Sequence, residues 1–397
     1  MSIETPPMHS DSNSAPDWHK YRLDYFPVVK KWAYFDHAAL SPLPVPARDA
    51  IADWLAGISL DGDTDWLTWN SRVEKIRARV ASLFNAEEIE VAFVPNTAVG
   101  ISTVAEGLSW ETGDNVVIPQ GEFPSNLYPW MNLQNKGVEL RIVKTGPFGE
   151  IDLNRVSEAC DARTRVVAMS WVGYSSGFRI DPAAFAAVAH DHNAFFVLDA
   201  IQGLGVFPLD VQSMEIDFLA ASGHKWLMGP EGAGLMYCNK RLLEQLVIRG
   251  IGWNSVQNPY LFHKVDLRLK ESAARYEGGT RNMAGIHALG ASLDLLAEIG
   301  LTPTASPLAE RVLGLTDKFC SELEKIGFQC QSVRHSENSS GIVSFQAEER
   351  DAAETRNLLL QNGVVSSVRH GLLRFSPHAY NNEEDIEKAV HLLQNSN

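Results

Sequence analysis

The chain has 397 residues, more than one compact core usually serves, so two domains are expected. A net charge of −15 argues against a nucleic-acid groove, which needs clustered Lys and Arg, and no apolar run is long enough to span a bilayer. Hydrophobic residues at 45% and charged residues at 21% exclude a fibre or a wholly disordered chain.

Residues 1–18, beginning MSIETPPMHSDSNSAPD, are rich in Ser and Pro and carry neither an apolar run nor an early Lys or Arg. They read as a disordered tail, not a secretory signal. From residue 90, short β-rich runs alternate with helical patterns. EVAFV (90–94) is followed by helix-like TAVGISTVAEGL (97–108) and then NVVIP (115–119). VELRIV (138–143), RVVAMSW (165–171) and FFVLDA (195–200) continue the series, with helical DPAAFAAVAHDH (181–192) before the last. IDFLAAS (216–222) and GLMYC (234–238) complete it. Apolar runs of that length, separated by helices, predict strands buried on both faces of a mostly parallel sheet, an α/β fold.

After about residue 290 the pattern changes to short strands and amphipathic helices. Helical LGASLDLLAEIG (289–300) bridges to a long helix at 307–327. The expected division is a large domain over 19–290 and a small α+β domain over 291–397, with 19–36 in reach of the small one. Cys160, Cys238, Cys320 and Cys330 form no C-x-x-C pair, so neither zinc nor a disulfide framework is suggested. Free thiols suit a reducing compartment, and the cytoplasm is the default.

In open α/β sheets, ligands bind outside the carboxyl ends of the strands. Asp199 closes one such strand and reads either as a cap or as the partner of a buried cation. Thr97 opens a helix after another, as an ordinary capping residue or as one wall of a phosphate site. Lys225, in SGHKWLMGPEGAGLMY (222–237), sits among Gly, Trp and Leu with no acid beside it until Glu231. An exposed turn is the plain reading, and a Schiff base with a carbonyl cofactor is the sharper one. Pyridoxal phosphate needs a lysine for its aldehyde, an acid for its pyridinium nitrogen and a phosphate cradle. Lys225, Asp199 and Thr97 supply one of each.

Three stretches together carry a resemblance: VLDAIQGLGVFPLDV (197–211), SGHKWLMGPEGAGLMY (222–237) and YEGGTRNMAGIHALGASLDLL (276–296). The chain resembles the class V aminotransferase group of fold-type I pyridoxal 5'-phosphate enzymes, in the branch with cysteine desulfurases and selenocysteine lyases. The resemblance runs from YFDHAALSPLP (34–44) to RFSPHAYNNEEDIEKAV (374–390). It implies a large domain with a mostly parallel seven-stranded sheet and a small C-terminal α+β domain. By the same resemblance, Lys225 is the Schiff-base lysine and general base, and Asp199 faces the pyridine nitrogen. Gln202 bonds the cofactor's phenolic oxygen. Thr97, with Ala98 beside it, Ser222 and His224 hold the phosphate. Gly279 and Thr280 reach the phosphate of a neighbouring subunit, which implies a homodimer with shared sites. Arg374 clamps the carboxylate of an amino-acid substrate, and His37 lies on the substrate side.

The sequence also departs from that group. Persulfide-forming members carry a cysteine shortly before the carboxylate-binding arginine. Here the segment is NGVVSSVRHGLLRFSP (362–377), short and without cysteine. Phe123 replaces the histidine over the cofactor ring; it stacks but cannot transfer a proton. Tyr174 stands where the desulfurases usually have asparagine, as a wall or as an acid. The favoured expectation is a lyase acting on a β-substituted amino acid, of the C–S lyase type, without a persulfide cysteine. Aminotransferase, epimerase and a non-catalytic cofactor-binding protein are the alternatives.

Overall fold

A computed structural model describes residues 16–335, 337–347 and 350–395. Most of the expected tail lies outside the described residues. Its last positions do not, and Trp18 opens a helix, Trp18–Tyr25, because the Asp17 side chain accepts from Lys20 N at 2.9 Å.

After β1 (Ala33–Tyr34) come the strands of the central sheet: β2 (Val91–Val94), β3 (Asn115–Pro119), β4 (Glu139–Val143), β5 (Thr164–Ser170), β6 (Phe195–Asp199), β7 (Phe218–Ser222) and β8 (Gly234–Cys238). The sheet has seven strands in the order β2-β8-β7-β6-β5-β3-β4. Only β8 runs against its neighbours, so the carboxyl ends of the other strands share one edge. Side chains alternate across a strand, and the apolar residues therefore split between two cores. Val91, Phe93, Val167, Met169, Phe196 and Leu198 belong to one. Ala92, Val94, Val166, Ala168 and Val197 belong to the other. Each large side chain so buried contributes about 1.5–3 kcal/mol.

Beyond the sheet, helix Met283–Glu298 packs against helices Val45–Asp61 and Trp66–Leu83. It begins six residues before the predicted 289, because Asn282 caps it by accepting from Gly285 N at 3.0 Å. Gly285 lowers the helix propensity of that first turn, and the Asn282 cap offsets it. The helices before residue 90 had no prediction, because exposed Leu55, Leu60 and Leu67 blur their apolar stripe.

The C-terminal part contains β9 (Phe328–Cys330), β10 (Val343–Ala347), β11 (Val364–Val365), β12 (Ser367–Arg369) and β13 (Leu372–Phe375). Four of them form an antiparallel sheet in the order β12-β13-β10-β9. β1 pairs in parallel with β11, and Asp36 bridges to Ser376, so the N-terminal segment is drawn onto this part of the fold. β12 and β13 are joined by His370 and Gly371 alone, with φ of 51° and 78° and with Arg369 facing Leu372. Left-handed backbone at both positions is the tight hairpin turn whose twist matches that of its strands.

A buried ion pair ties helix Trp66–Leu83 to the segment before Gly279. Arg77 Nη1 reaches Glu277 Oε1 at 2.5 Å and donates to Val91 O at 2.8 Å, while Glu277 accepts from Phe93 N at 2.8 Å. Without Glu277, Arg77 keeps only the half-exposed Glu74, at 2.8 Å, as an ionic partner, and Phe93 N loses its acceptor. Glu277→Ala is expected to lower the unfolding free energy by about 3–5 kcal/mol, read as a lower midpoint in urea.

Candidate active site

The carboxyl edge of the sheet opens into a cavity of about 360 Å³. Thr97, Ala98, Phe123, Tyr174, Asp199, Gln202, Ser222, His224, Lys225 and Arg374, all named from the sequence, line it. Lys225 follows β7 through Ser222, Gly223 and His224. Gly223 is required there, because a Cβ would lie 2.5 Å from Ala233 O. The tight turn continues as Met228 N donates to Lys225 O at 2.9 Å.

Lys225 is only 7% exposed and, among the described residues, forms no salt bridge. Burial pushes its pKa down to about 8, with Arg374 and Arg369 adding to the effect and Asp199 opposing it. A buried lysine without an ion-pair partner is a marker of function. Asp199 is buried, and desolvation raises its carboxyl to about 6, against the hydrogen bond from Ile201 N to Oδ1 and the nearby Lys225. Its other oxygen has no protein donor among the described residues, which suits an acid meant to face a ring nitrogen.

The residues expected at the phosphate form their own arrangement. Thr97 N donates to Ser222 Oγ at 2.8 Å, and Ser222 N donates to Thr97 Oγ1 at 2.9 Å. The two hydroxyl oxygens are 3.0 Å apart. One hydroxyl proton is used between them, leaving the other for an anion. Helix Thr97–Gly107 adds the positive end of its dipole. His224 is held toward the neutral form by burial and by Lys225. Gln202 donates through Nε2 to Ala38 O at 3.0 Å and accepts from Trp226 Nε1 at 2.8 Å, which fixes the orientation of its amide. Phe123 lies beside the lysine, its ring centroid 5.5 Å from Lys225 Nζ.

Arg374 is 1% exposed and held on three sides. Nε donates to Ser367 Oγ at 3.1 Å, Nη1 to Tyr174 O at 2.6 Å and Nη2 to Asp36 Oδ1 at 3.1 Å. Burial lowers its pKa, but a guanidinium stays charged.

His37 does not line the cavity. It is fully buried, with Nδ1 3.0 Å from Ser376 O and Nε2 3.0 Å from Tyr380 Oη, and burial holds its pKa near 4. His37 begins a turn, closed by Ala39 N and Leu40 N donating to Asp36 O, whereas Asp36 bridges to Ser376 and instead reaches the arginine. Ala38, Ala39 and Arg369 line the cavity and were missed from the sequence. No local pattern marks alanine as a wall, and Arg369 depends on the hairpin to place it. Gly279 and Thr280 line a separate surface cavity with Trp66, Trp253, Tyr260 and Phe262.

A mostly parallel sheet with a lysine, an acid and an anion cradle at its carboxyl edge defines a class of cofactor-dependent α/β enzymes. The family model of class-V aminotransferases matches residues 33–389, and the chain belongs to that family. It is thus a fold-type I enzyme that uses pyridoxal 5'-phosphate, and the donor set above fits that group. A probable cysteine desulfurase of Methanothermobacter thermautotrophicus is 29% identical over 387 residues, covering 91% of this chain and 94% of its own. The structure of a cysteine desulfurase from Thermococcus onnurineus NA1 superposes with a TM-score of 0.86 at 25% identity, over 96% of this chain and 98% of that one. A cystine C–S lyase in complex with cysteine persulfide shares the fold at a TM-score of 0.87 and 22% identity, over 93% and 99%.

In the cofactor-free protein, reductive methylation should modify Lys225 with a pH midpoint near 8. Asp199→Asn should move that midpoint lower, since the carboxylate favours the protonated amine. Mass spectrometry of the labelled peptide reads both, and a midpoint above about 10, as in exposed lysines, would contradict the environment described.

Proposed function

We propose that the chain is a lyase acting on a β-substituted amino acid, of the C–S lyase type, without a persulfide cysteine. The observation that carries this is the hairpin of His370 and Gly371, where a nucleophile-bearing loop would stand. Its backbone pairs directly from Arg369 to Leu372, which leaves no room for a mobile cysteine. Cys160, Cys238 and Cys320 are buried elsewhere, Cys330 lies on β9, and no cysteine is among the residues lining the cavity.

When bound, pyridoxal phosphate supplies the electron sink that makes the substrate's α-proton acidic. Lys225 would hold it, with Thr97, Ala98, Ser222 and His224 around the phosphate, Asp199 at the ring nitrogen, Gln202 at the phenolic oxygen and Phe123 against the ring. The remaining chemistry belongs to the chain. Arg374, immobilised by Asp36 and Ser367, presents its unused N–H groups to the substrate carboxylate. Lys225 Nζ, kept near neutrality by burial, takes the proton from Cα. The apolar Phe123 wall keeps water from that amine.

We also propose a homodimer. Phe262, Val265 and Leu267 are 74%, 99% and 67% exposed on a segment next to Gly279 and Thr280, and such apolar exposure suits a second copy of the chain. The free cysteines suit a reducing cytoplasm.

Incubation with β-substituted amino acids should release pyruvate and ammonia, and Lys225→Ala should lower kcat by about 10³-fold. Conversion of an added oxo acid to its amino acid, without pyruvate, would favour an aminotransferase instead. Replacing Phe262 and Val265 together by Glu should shift sedimentation from dimer to monomer, whereas unchanged sedimentation would remove this face as the interface.

A further inference from the structure

The cavity wall opposite Lys225 contains a contact that the reading above does not use. Tyr174 Oη lies 2.7 Å from His370 Nε2, and the two rings are 5.8 Å apart. Tyr174 lines the cavity and packs edge-on against Phe123 at 5.2 Å, which in turn stands 5.5 Å from Lys225 Nζ. His370 is exposed at the hairpin tip. The pair therefore forms a hydrogen-bonded path from solvent, through an imidazole and a phenol, into the reaction cavity.

We propose that Tyr174 is the acid that protonates the departing β-substituent, and that His370 recharges it from solvent. This rests on the lyase reading. The substrate class it implies is an amino acid whose β-substituent, such as a thiolate, leaves poorly without a proton. In the step, the Cα proton goes to Lys225 Nζ, the electron pair it leaves forms the Cα=Cβ bond, and the Cβ–S bond breaks with its own pair staying on sulfur. The Tyr174 hydroxyl proton passes to that sulfur, giving a thiol. His370 passes a proton through Nε2 to restore the phenol, and takes one from solvent in its place. No oxidant or reductant takes part.

Other groups in the cavity are unsuited to the task. Arg369 and Arg374 do not release a proton at ordinary pH, and Phe123 has none to give. Lys225 has the α-proton to accept, and His224 sits by the anion cradle. The charged groups acting on Tyr174 are Arg369, Arg374 and Glu122. Burial raises the phenol's pKa, so it arrives protonated, while the two arginines favour the phenolate formed in transit. A wall alone would be served by phenylalanine. Moreover, His370 adopts a φ of 51°, a conformation that β-hairpin turns usually assign to Asn or Gly. Histidine is among the non-glycine residues that tolerate this conformation, so the turn can hold an imidazole against the tyrosine.

The test compares leaving groups. Chloride leaves β-chloro-L-alanine without a proton, whereas methanethiolate from S-methyl-L-cysteine needs one. Tyr174→Phe should reduce kcat for S-methyl-L-cysteine about 100-fold and leave β-chloro-L-alanine within about threefold. His370→Asn keeps the left-handed turn and should show the same selectivity, more weakly. In the cofactor-free protein, histidine ring NMR should show the Nε2 signal that is lost in His370→Asn shifting in Tyr174→Phe. An equal loss on both substrates, or an unmoved Nε2 signal, overturns the proton path while the lyase reading stands. If the unmodified enzyme releases pyruvate from neither substrate, the lyase reading itself fails and takes the proposal with it.

Discussion

A lysine amine buried at the carboxyl edge of the sheet, with no salt bridge among the described residues, is the constraint around which the site is arranged. Burial of a charge without a partner is unfavourable, and the amine responds by moving toward neutrality. Asp199 works against that shift, yet its own carboxyl is raised by the same desolvation. Two oppositely tuned groups therefore face one cavity. Such a pair is poised for an aldehyde and a ring nitrogen more than for each other.

The arginine answers to a different constraint. Arg374 lies on β13, and its guanidinium is fixed by Asp36, Ser367 and the carbonyl of Tyr174. Asp36 reaches it only because β1 adds to β11 and carries the N-terminal segment to the C-terminal sheet. The setting of Arg374 is thus assembled from both ends of the chain. The tight β12–β13 turn then brings the His370 imidazole onto Tyr174, a residue of the cavity wall.

Much of the sheet was legible because its strands are short, apolar and closed by polar residues, a pattern that local sequence carries. Lys225, Asp199 and Thr97 were legible as a set for the same reason, since each ends or follows a strand, whereas Ser222 came only from the family resemblance. His37 was misplaced because only the pairing of Asp36 with Ser376, beyond β1, decides which of the two residues reaches the arginine. The helices before residue 90 and the early start of Met283–Glu298 escaped notice because exposed leucines and a glycine interrupt their periodicity.

By itself the sequence determined an α/β sheet with a threonine, an acid and a lysine at the ends of β2, β6 and β7, because strand termini and the residues beside them are local properties. The tertiary structure decided which distant groups meet there. Tyr174 and His370 are 196 positions apart, and Arg374 and Asp36 are 338 apart. No periodicity records such contacts. They exist because hairpin register and strand pairing fix side-chain direction, and that becomes defined only when the sheets close.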